Sequence, residues 1–407
     1  MKAAVDSEAG FDVESANPAR SPKKAYAPAA LRWRTMVVVA WRMMFHDKLK
    51  MLGTLIGVVF TVVLSNQQAG TFLGLIKKNT MFIEYSGADL WIVSPNTLTL
   101  QATKPMGLAP LYVARGTKGV AWAEPLIYAG ASIQLPAGGT EPIQFVGTTA
   151  PRYAGGPWNV VAGSKEALER PNTMIFEDSE RERLGGLNLG SVREVNGFKV
   201  QVGGITWGLL PFGPPFAFAE YDLARRMLHL DTDQTHYVLV GLEKGADAAA
   251  VKQAIMARAP EVKVVDVSEF RKMLITFVLK RTPIGITFGT STVFALIVGF
   301  VIVSLSMFSA VVDNVREFGT LKAIGATNGD LARIVVTQSV TFAVMGSLIG
   351  LAAVTRIAAA IRSPKLGVQL PPELLLGTAI VMVIMCVAAS SLALLRLRKV
   401  EPGMVFR

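Results

Sequence analysis

Val315-Arg316-Glu317-Phe318-Gly319-Thr320-Leu321-Lys322-Ala323-Ile324-Gly325-Ala326-Thr327-Asn328-Gly329-Asp330 lies between two of the most hydrophobic stretches of a 407-residue chain. Val315, Phe318, Leu321 and Ile324 recur every three residues, which lays an apolar stripe along one helical face. Arg316, Glu317, Thr320 and Lys322 fall around the rest of it. Gly325 suits the positive φ that ends a helix. Thr327 suits the N-cap of the next helix, with Asp330 at its third position as the capping-box acid. The segment therefore encodes a short amphipathic helix, a sharp break and a fresh helix start. On these residues alone, a linker lying on a membrane surface and an element that docks a partner fit equally well.

The flanks decide the fold class. The chain is 51% hydrophobic and only 17% charged, where a soluble domain carries about a quarter charged residues. Four runs contain no charge at all: 51–76, 282–312, 334–355 and 374–395. Each exceeds the roughly 20 apolar residues that a helix needs to cross the hydrocarbon, so four transmembrane helices are expected. Residues 77–281, between the first and second runs, hold 22 basic and 20 acidic residues and read as a large α+β extracytoplasmic domain. Strands are expected at Ala88–Val93, Ile143–Gly147, Phe198–Val202 and Tyr237–Val240. A strand–helix–strand unit is expected to run from Tyr237 through 246–259 to Val262–Val267, with a further helix at Tyr221–Leu230.

Charge orients the chain. The formal +11 divides into +4 for residues 1–76, +2 for 77–281 and +5 for 282–407. The excess sits in short flanks: Arg32 to Lys50, the 313–333 segment with Arg316, Lys322 and Arg333, and the basic tail 396–407. The positive-inside rule then places both termini in the cytoplasm. Arg356, Arg362 and Lys365, in the short outer loop 356–373, count against this weakly. Residues 1–30 lack the apolar core of a secretory signal and read as a disordered tail. Residues 31–50 alternate Trp33, Met36, Trp41 and Phe45 with basic residues, the pattern of an amphipathic interfacial helix or of the first turns of the following span.

Chemistry is sparse. No G-x-x-x-x-G-K-[ST] occurs, so a phosphate-cradling loop is not expected in this chain. Three scattered histidines and one cysteine, Cys386, offer no metal-ligand spacing. Glu177, Asp178, Glu180 and Glu182 alternate with Arg181 and Arg183, as a solvated helix face does. The positive balance is a membrane signature, and nucleic-acid binding is not expected.

The segment at 315–326 resembles the coupling segment of MacB/LolC/FtsX-type ABC transporter permeases, whose motif is E-[FI]-G-x-L-[RK]-A-[IL]-G-A. Glu317, Phe318, Gly319, Leu321, Lys322, Ala323, Ile324, Gly325 and Ala326 stand at its positions. The layout is similar too: one helix, a large outer domain, three helices and a short basic tail ending near Pro402. The resemblance implies a stand-alone permease of a bacterial inner membrane, most like the DevC branch and without a fused ATPase. It implies no catalysis and no cofactor on this chain, with ATP and magnesium held by two copies of a separate ABC ATPase. It further implies a second permease copy, a periplasmic membrane-fusion adaptor, an outer-membrane channel and contact with membrane lipid. Arg316, Glu317 and Lys322 would make polar contacts with the ATPase, and Phe318, Leu321 and Ile324 apolar ones. ATP-driven closure would move the helix as a lever and pass motion through span two, whose surplus length would form a stalk. Gln338 stands where many relatives carry an acid. Two other classes stay open: an FtsX-like regulator that activates a periplasmic partner without transport, and a membrane-anchored binding protein. A lipid, a lipoprotein and a hydrophobic small molecule are all compatible cargoes.

Overall fold

A computed structural model describes residues 29–209, 213–361 and 367–397. The tail at 1–28, Pro211, Phe212, Arg362, Lys365 and the basic tail from 398 onward lie outside the described residues. Two helices open the described chain, α1 (Ala29–His46) and α2 (Lys48–Glu84). They part at Asp47, whose carboxylate accepts the Lys50 amide at 3.2 Å and caps α2. The helix expected over 31–50 thus stops at His46, and Lys48 and Lys50 begin the span.

The inserted domain follows. It contains β1 (Leu90–Val93), β2 (Met106–Gly107), α3 (Ala109–Arg115), β3 (Val120–Gln134), β4 (Thr140–Thr148), β5 (Val160–Gly163), β6 (Thr173–Glu177), β7 (Val192–Val195), β8 (Phe198–Thr206), β9 (Phe216–Glu220), α4 (Tyr221–Met227), β10 (Gln234–Thr235), β11 (Tyr237–Leu242), α5 (Ala248–Arg258) and β12 (Lys263–Asp266). The chain leaves through α6 (Val267–Arg281), then α7 (Pro283–Asp313), α8 (Val315–Ala323), α9 (Asn328–Ala360) and α10 (Pro372–Leu397). Among the described residues four helices are long and apolar enough to cross a membrane: α2, α7, α9 and the Pro372–Leu392 part of α10. The protein is a four-helix membrane protein with a large α+β domain inserted between its first and second spans.

One sheet organises the domain, in the order β12-β1-β11-β3-β4-β9-β6-β8-β5. The 15-residue β3 joins its halves: residues up to Leu126 pair with β11, and Ile127 to Gln134 pair with β4. On one side of this seam α3 and α5 cover β1, β11 and β12 around Ile92, Val240 and Ile255. On the other, α4 covers β4, β6 and β9 around Phe145, Phe176 and Ala224. The expected strand–helix–strand unit is present as β11-α5-β12, with β1 lying between its two strands. One expectation fails. Glu177 ends a buried strand and Asp178 follows it; they are 1% and 3% exposed, and the residues after them form turns rather than a helix face. Glu177 is held there by the Thr206 hydroxyl at 2.8 Å and the Gly208 amide at 3.1 Å.

α2 is the hub of the spans. A side chain added at Gly299 of α7 would meet Thr61 at 2.2 Å, and one at Gly346 of α9 would meet Val58 at 2.4 Å. These small residues let both neighbours approach the α2 backbone, the usual device of helix packing in lipid. Asn66, a polar residue inside α2, accepts the Thr378 hydroxyl of α10 at 3.2 Å and donates to the Val62 carbonyl. It joins helices and does not face an open lumen.

α2 does not end where its charge-free run ends. It continues through Lys77 and Lys78 to Glu84, 37 residues or about 55 Å of helix. Phe82 and Ile83 thereby enter the domain's aromatic core, where the Phe82 ring lies 4.8 Å from Tyr128 and 5.6 Å from Phe216. α6 returns beside it, with Phe270 against Trp91 at 5.3 Å. α2 and α6 carry the domain, and α7, the span expected to project as a stalk, begins directly after α6. The chain turns at Thr282, extended at φ −111° and ψ 147°, and Pro283 starts α7. Pro283 thus sits at a helix start, where its missing N–H costs nothing.

Candidate functional site

α8 is nine residues long and closes firmly at its C-terminus. At its C-terminus Gly325 takes φ +106°. The Ala326 amide donates to the Leu321 carbonyl at 2.9 Å, and the Gly325 amide to Lys322 at 3.0 Å. These are the paired bonds of a Schellman motif, and they close the helix with its last carbonyls satisfied. Two residues later the chain restarts. Thr327 Oγ1 accepts the Asp330 amide at 3.2 Å, while Asp330 Oδ2 accepts the Thr327 amide at 3.0 Å. This reciprocal box fixes the first turn of α9. Asp330 is 1% exposed and also accepts from Arg333 at 3.2 Å. Its charge stands at a helix N-terminus, where the backbone dipole favours it.

The stripe divides into two roles. Phe318 is 1% exposed and packs in a cluster with Ala40 and Met44 of α1, Val311 of α7, and Leu331 and Ile334 of α9. Val315, Leu321 and Ala326 pack against the same cluster, and Gly319 is buried beside it. Ile324 is 81% exposed, and Arg316, Glu317, Thr320, Ala323 and Gly325 are exposed with it. The expectation that Phe318 is offered to an outside partner is therefore corrected: it clamps α8 to the bundle. The free face is formed by Arg316, Glu317, Thr320 and Ile324, with Lys322 at its margin.

Residues outside the segment brace it. Lys50 Nζ lies 2.9 Å from Asp313 Oδ2 and 3.0 Å from Asp47 Oδ2, tying the start of α2 to the end of α7 immediately before α8. Gln338 Nε2 donates to the Ala40 carbonyl at 3.2 Å and holds α1 against α9. The sequence carried a signal for the first brace in Asp47-x-x-Lys50 ahead of an apolar run. It carried none for Asp313, whose partner is distant in the chain.

Among the described residues no group of three His, Cys, Asp or Glu side chains is placed to hold a metal. The arrangement is a helix clamped to α1, α7 and α9 and joined through α7 and the Lys50 bridge to α2, whose far end is set in the outer domain.

The described chain is thus a four-span bundle with an inserted α+β domain and a clamped surface helix between spans two and three. The chain belongs to the MacB/FtsX-type family of ABC-transporter permeases: the family model for the MacB-like periplasmic core domain matches residues 49–258, and that for the FtsX-like permease C-terminal region matches residues 289–402. Among solved structures, it is similar to the periplasmic region of MacB from Actinobacillus actinomycetemcomitans, with 7% identity and a TM-score of 0.37 over 49% of this chain and 97% of that one. It is also similar to the extracellular domain of the noncanonic ABC-type transporter YknZ from Gram-positive bacteria, with 14% identity and a TM-score of 0.32 over 44% and 99%. A domain of a putative permease from Porphyromonas gingivalis matches with 16% identity and a TM-score of 0.31 over 44% and 89%. No curated protein matches the chain.

Proposed function

We propose that this chain is the stand-alone membrane subunit of an ATP-driven exporter in a bacterial inner membrane, with both termini cytoplasmic. In this reading a separate ABC ATPase, in two copies with its ATP and magnesium, docks under the free face of α8. Two permease copies pair, and an adaptor and outer-membrane channel continue the path beyond the outer domain. ATP-driven closure of the ATPases displaces α8, and the displacement reaches the domain through α2 and α6. The cargo is a membrane amphiphile, either a lipid, a lipoprotein or a hydrophobic small molecule, drawn to the outer domain by its movement. Within the family, this reading places the chain in the DevC branch.

The observation that carries this reading is the split of one apolar stripe. A surface linker has no use for an 81% exposed Ile324 beside Arg316 and Glu317 on a helix so firmly clamped through Phe318. Apolar residues ringed by charges on a rigid helix are the anchors of helix-in-groove recognition. The test uses two substitutions. Ile324→Asp is expected to abolish co-purification with the ATPase subunit while leaving membrane insertion and thermal stability unchanged. Phe318→Ala is expected to lower thermal stability, by about 3 kcal/mol or more for loss of a buried ring. An intact permease–ATPase complex in Ile324→Asp removes the docking assignment.

A further inference from the structure

A groove of about 430 Å³ opens between α2 and α6 at the root of the stalk. Its floor is apolar, made by Leu73, Ile76 and Ile275. Its rim is polar, made by Lys77, Thr80, Glu84 and Arg271.

Three contacts set its depth. The loop joining α9 to α10 rests on α2 at this level, where the Gln369 amide donates to the Gly70 carbonyl at 2.9 Å. A side chain added at Gly70 would meet Leu370 at 2.8 Å. Two residues on, the Phe72 ring lies 5.6 Å from Phe288 near the start of α7. A loop between two spans marks the membrane surface, so Leu73 and Ile76 lie at headgroup depth and Lys77 to Glu84 rise just above it. Lys280 and Arg281, both exposed, close α6 immediately before α7 and add positive charge near the same surface.

The rim is not neutral. Glu84 is engaged internally, by Arg271 at 3.6 Å and by the Thr80 hydroxyl at 3.0 Å. Lys77 is exposed and has no ion-pair partner among the described residues. A cationic rim above an apolar floor at headgroup depth is complementary to a phosphate joined to acyl chains. We propose that this groove binds an anionic phospholipid from the leaflet on the domain's side, its phosphate at Lys77 and Arg271 and a chain along Leu73, Ile76 and Ile275. The lipid lies in the groove between the two helices that carry the domain and touches both. The site stands whether the bound lipid is cargo or a fixed component, and it does not depend on an ATPase.

The test is native mass spectrometry of the purified full-length chain in neutral detergent, titrated with phosphatidylglycerol or with phosphatidylcholine of the same acyl chains. The wild type is expected to retain phosphatidylglycerol saturably and selectively. Lys77→Glu is expected to weaken that binding about tenfold, a charge reversal beside an anionic headgroup. Ile275→Trp, which fills the floor, is expected to abolish it, and Lys244→Glu, in the loop between β11 and α5, to leave it unchanged. Lys77 is exposed, so its substitution keeps the test valid even where Ile275→Trp lowers stability. Equal retention of the two lipids by the wild type, or unchanged phosphatidylglycerol binding in Lys77→Glu, overturns the proposal.

Discussion

Phe318 and Ile324 belong to one apolar stripe, yet the first is 1% exposed and the second 81%. The reason is geometric. A helix turns about 100° per residue, so a three-residue spacing slips by about 60° at each step. Val315, Phe318, Leu321 and Ile324 therefore fan over about half the circumference, and one edge of the fan leaves the bundle. The residue types and the break at Gly325 were legible in the sequence. Which end of the stripe faces inward was not, because it depends on α1 and α9 arriving from elsewhere in the chain. His236 shows a similar limit. It is 7% exposed, its Nδ1 has no hydrogen-bond partner, and burial pushes its pKa down to about 4. The unfolded chain titrates near 6.5, so between these values it binds a proton that the folded state refuses. Stability from this residue is intact above pH 6.5 and is lost as the pH falls towards 4, by about 3 kcal/mol. Thermal unfolding of the full-length protein is expected to show His236→Gln and wild type separated by the same interval from pH 7 to 8. Below pH 6.5 the variant should lose less. Parallel curves down to pH 4.5 contradict the assignment.

At the scale of elements, the sequence showed the spans better than their ends. A pair of lysines, Lys77-Lys78, reads as the limit of span one, but the helix continues because Thr80, Phe82 and Ile83 are buried against the domain and α6. Likewise β3 was not legible: Pro125 and Gly130 interrupt its pattern, and only its pairing with β11 on one half and β4 on the other makes it one strand. The acidic run at 177–182 read as a helix for lack of any sign that Thr206 and Gly208 would satisfy Glu177. The close seat of the 367–370 loop on α2 was equally invisible, and it makes a sharp prediction. A Cβ at Gly74 would fall 1.6 Å from the Gly367 carbonyl oxygen, whereas one at Gly377 in α10 would meet nothing within 4 Å. Gly74→Ala is expected to destabilise the protein by about 1–3 kcal/mol through overpacking. Gly377→Ala is expected to be neutral or to stabilise by up to about 1 kcal/mol. Differential scanning calorimetry of the two variants reads the contrast, and equal shifts refute the loop's placement.

For the whole molecule, layout was the most legible feature: four charge-free runs and a charge-balanced insert were enough for the architecture. The elements that carry the domain were less so, since nothing in the charge pattern marks the passage of α2 into it. One connected set of contacts runs from α8 to the outer domain. α8 is clamped by Phe318 and bridged through Asp313 and Lys50 to α2, and α2 runs unbroken into the aromatic core of the outer domain. The central claim is that this chain carries motion from α8 to the domain. Spin labels at Leu189 in the domain and Leu376 at the outer end of α10, both exposed, measure it in a Cys386→Ala background. In the permease–ATPase complex, electron–electron resonance is expected to show the distance between these labels shift on ATP binding, and Ile324→Asp is expected to abolish the shift. An unchanged distance with ATP bound and the ATPase docked contradicts the account.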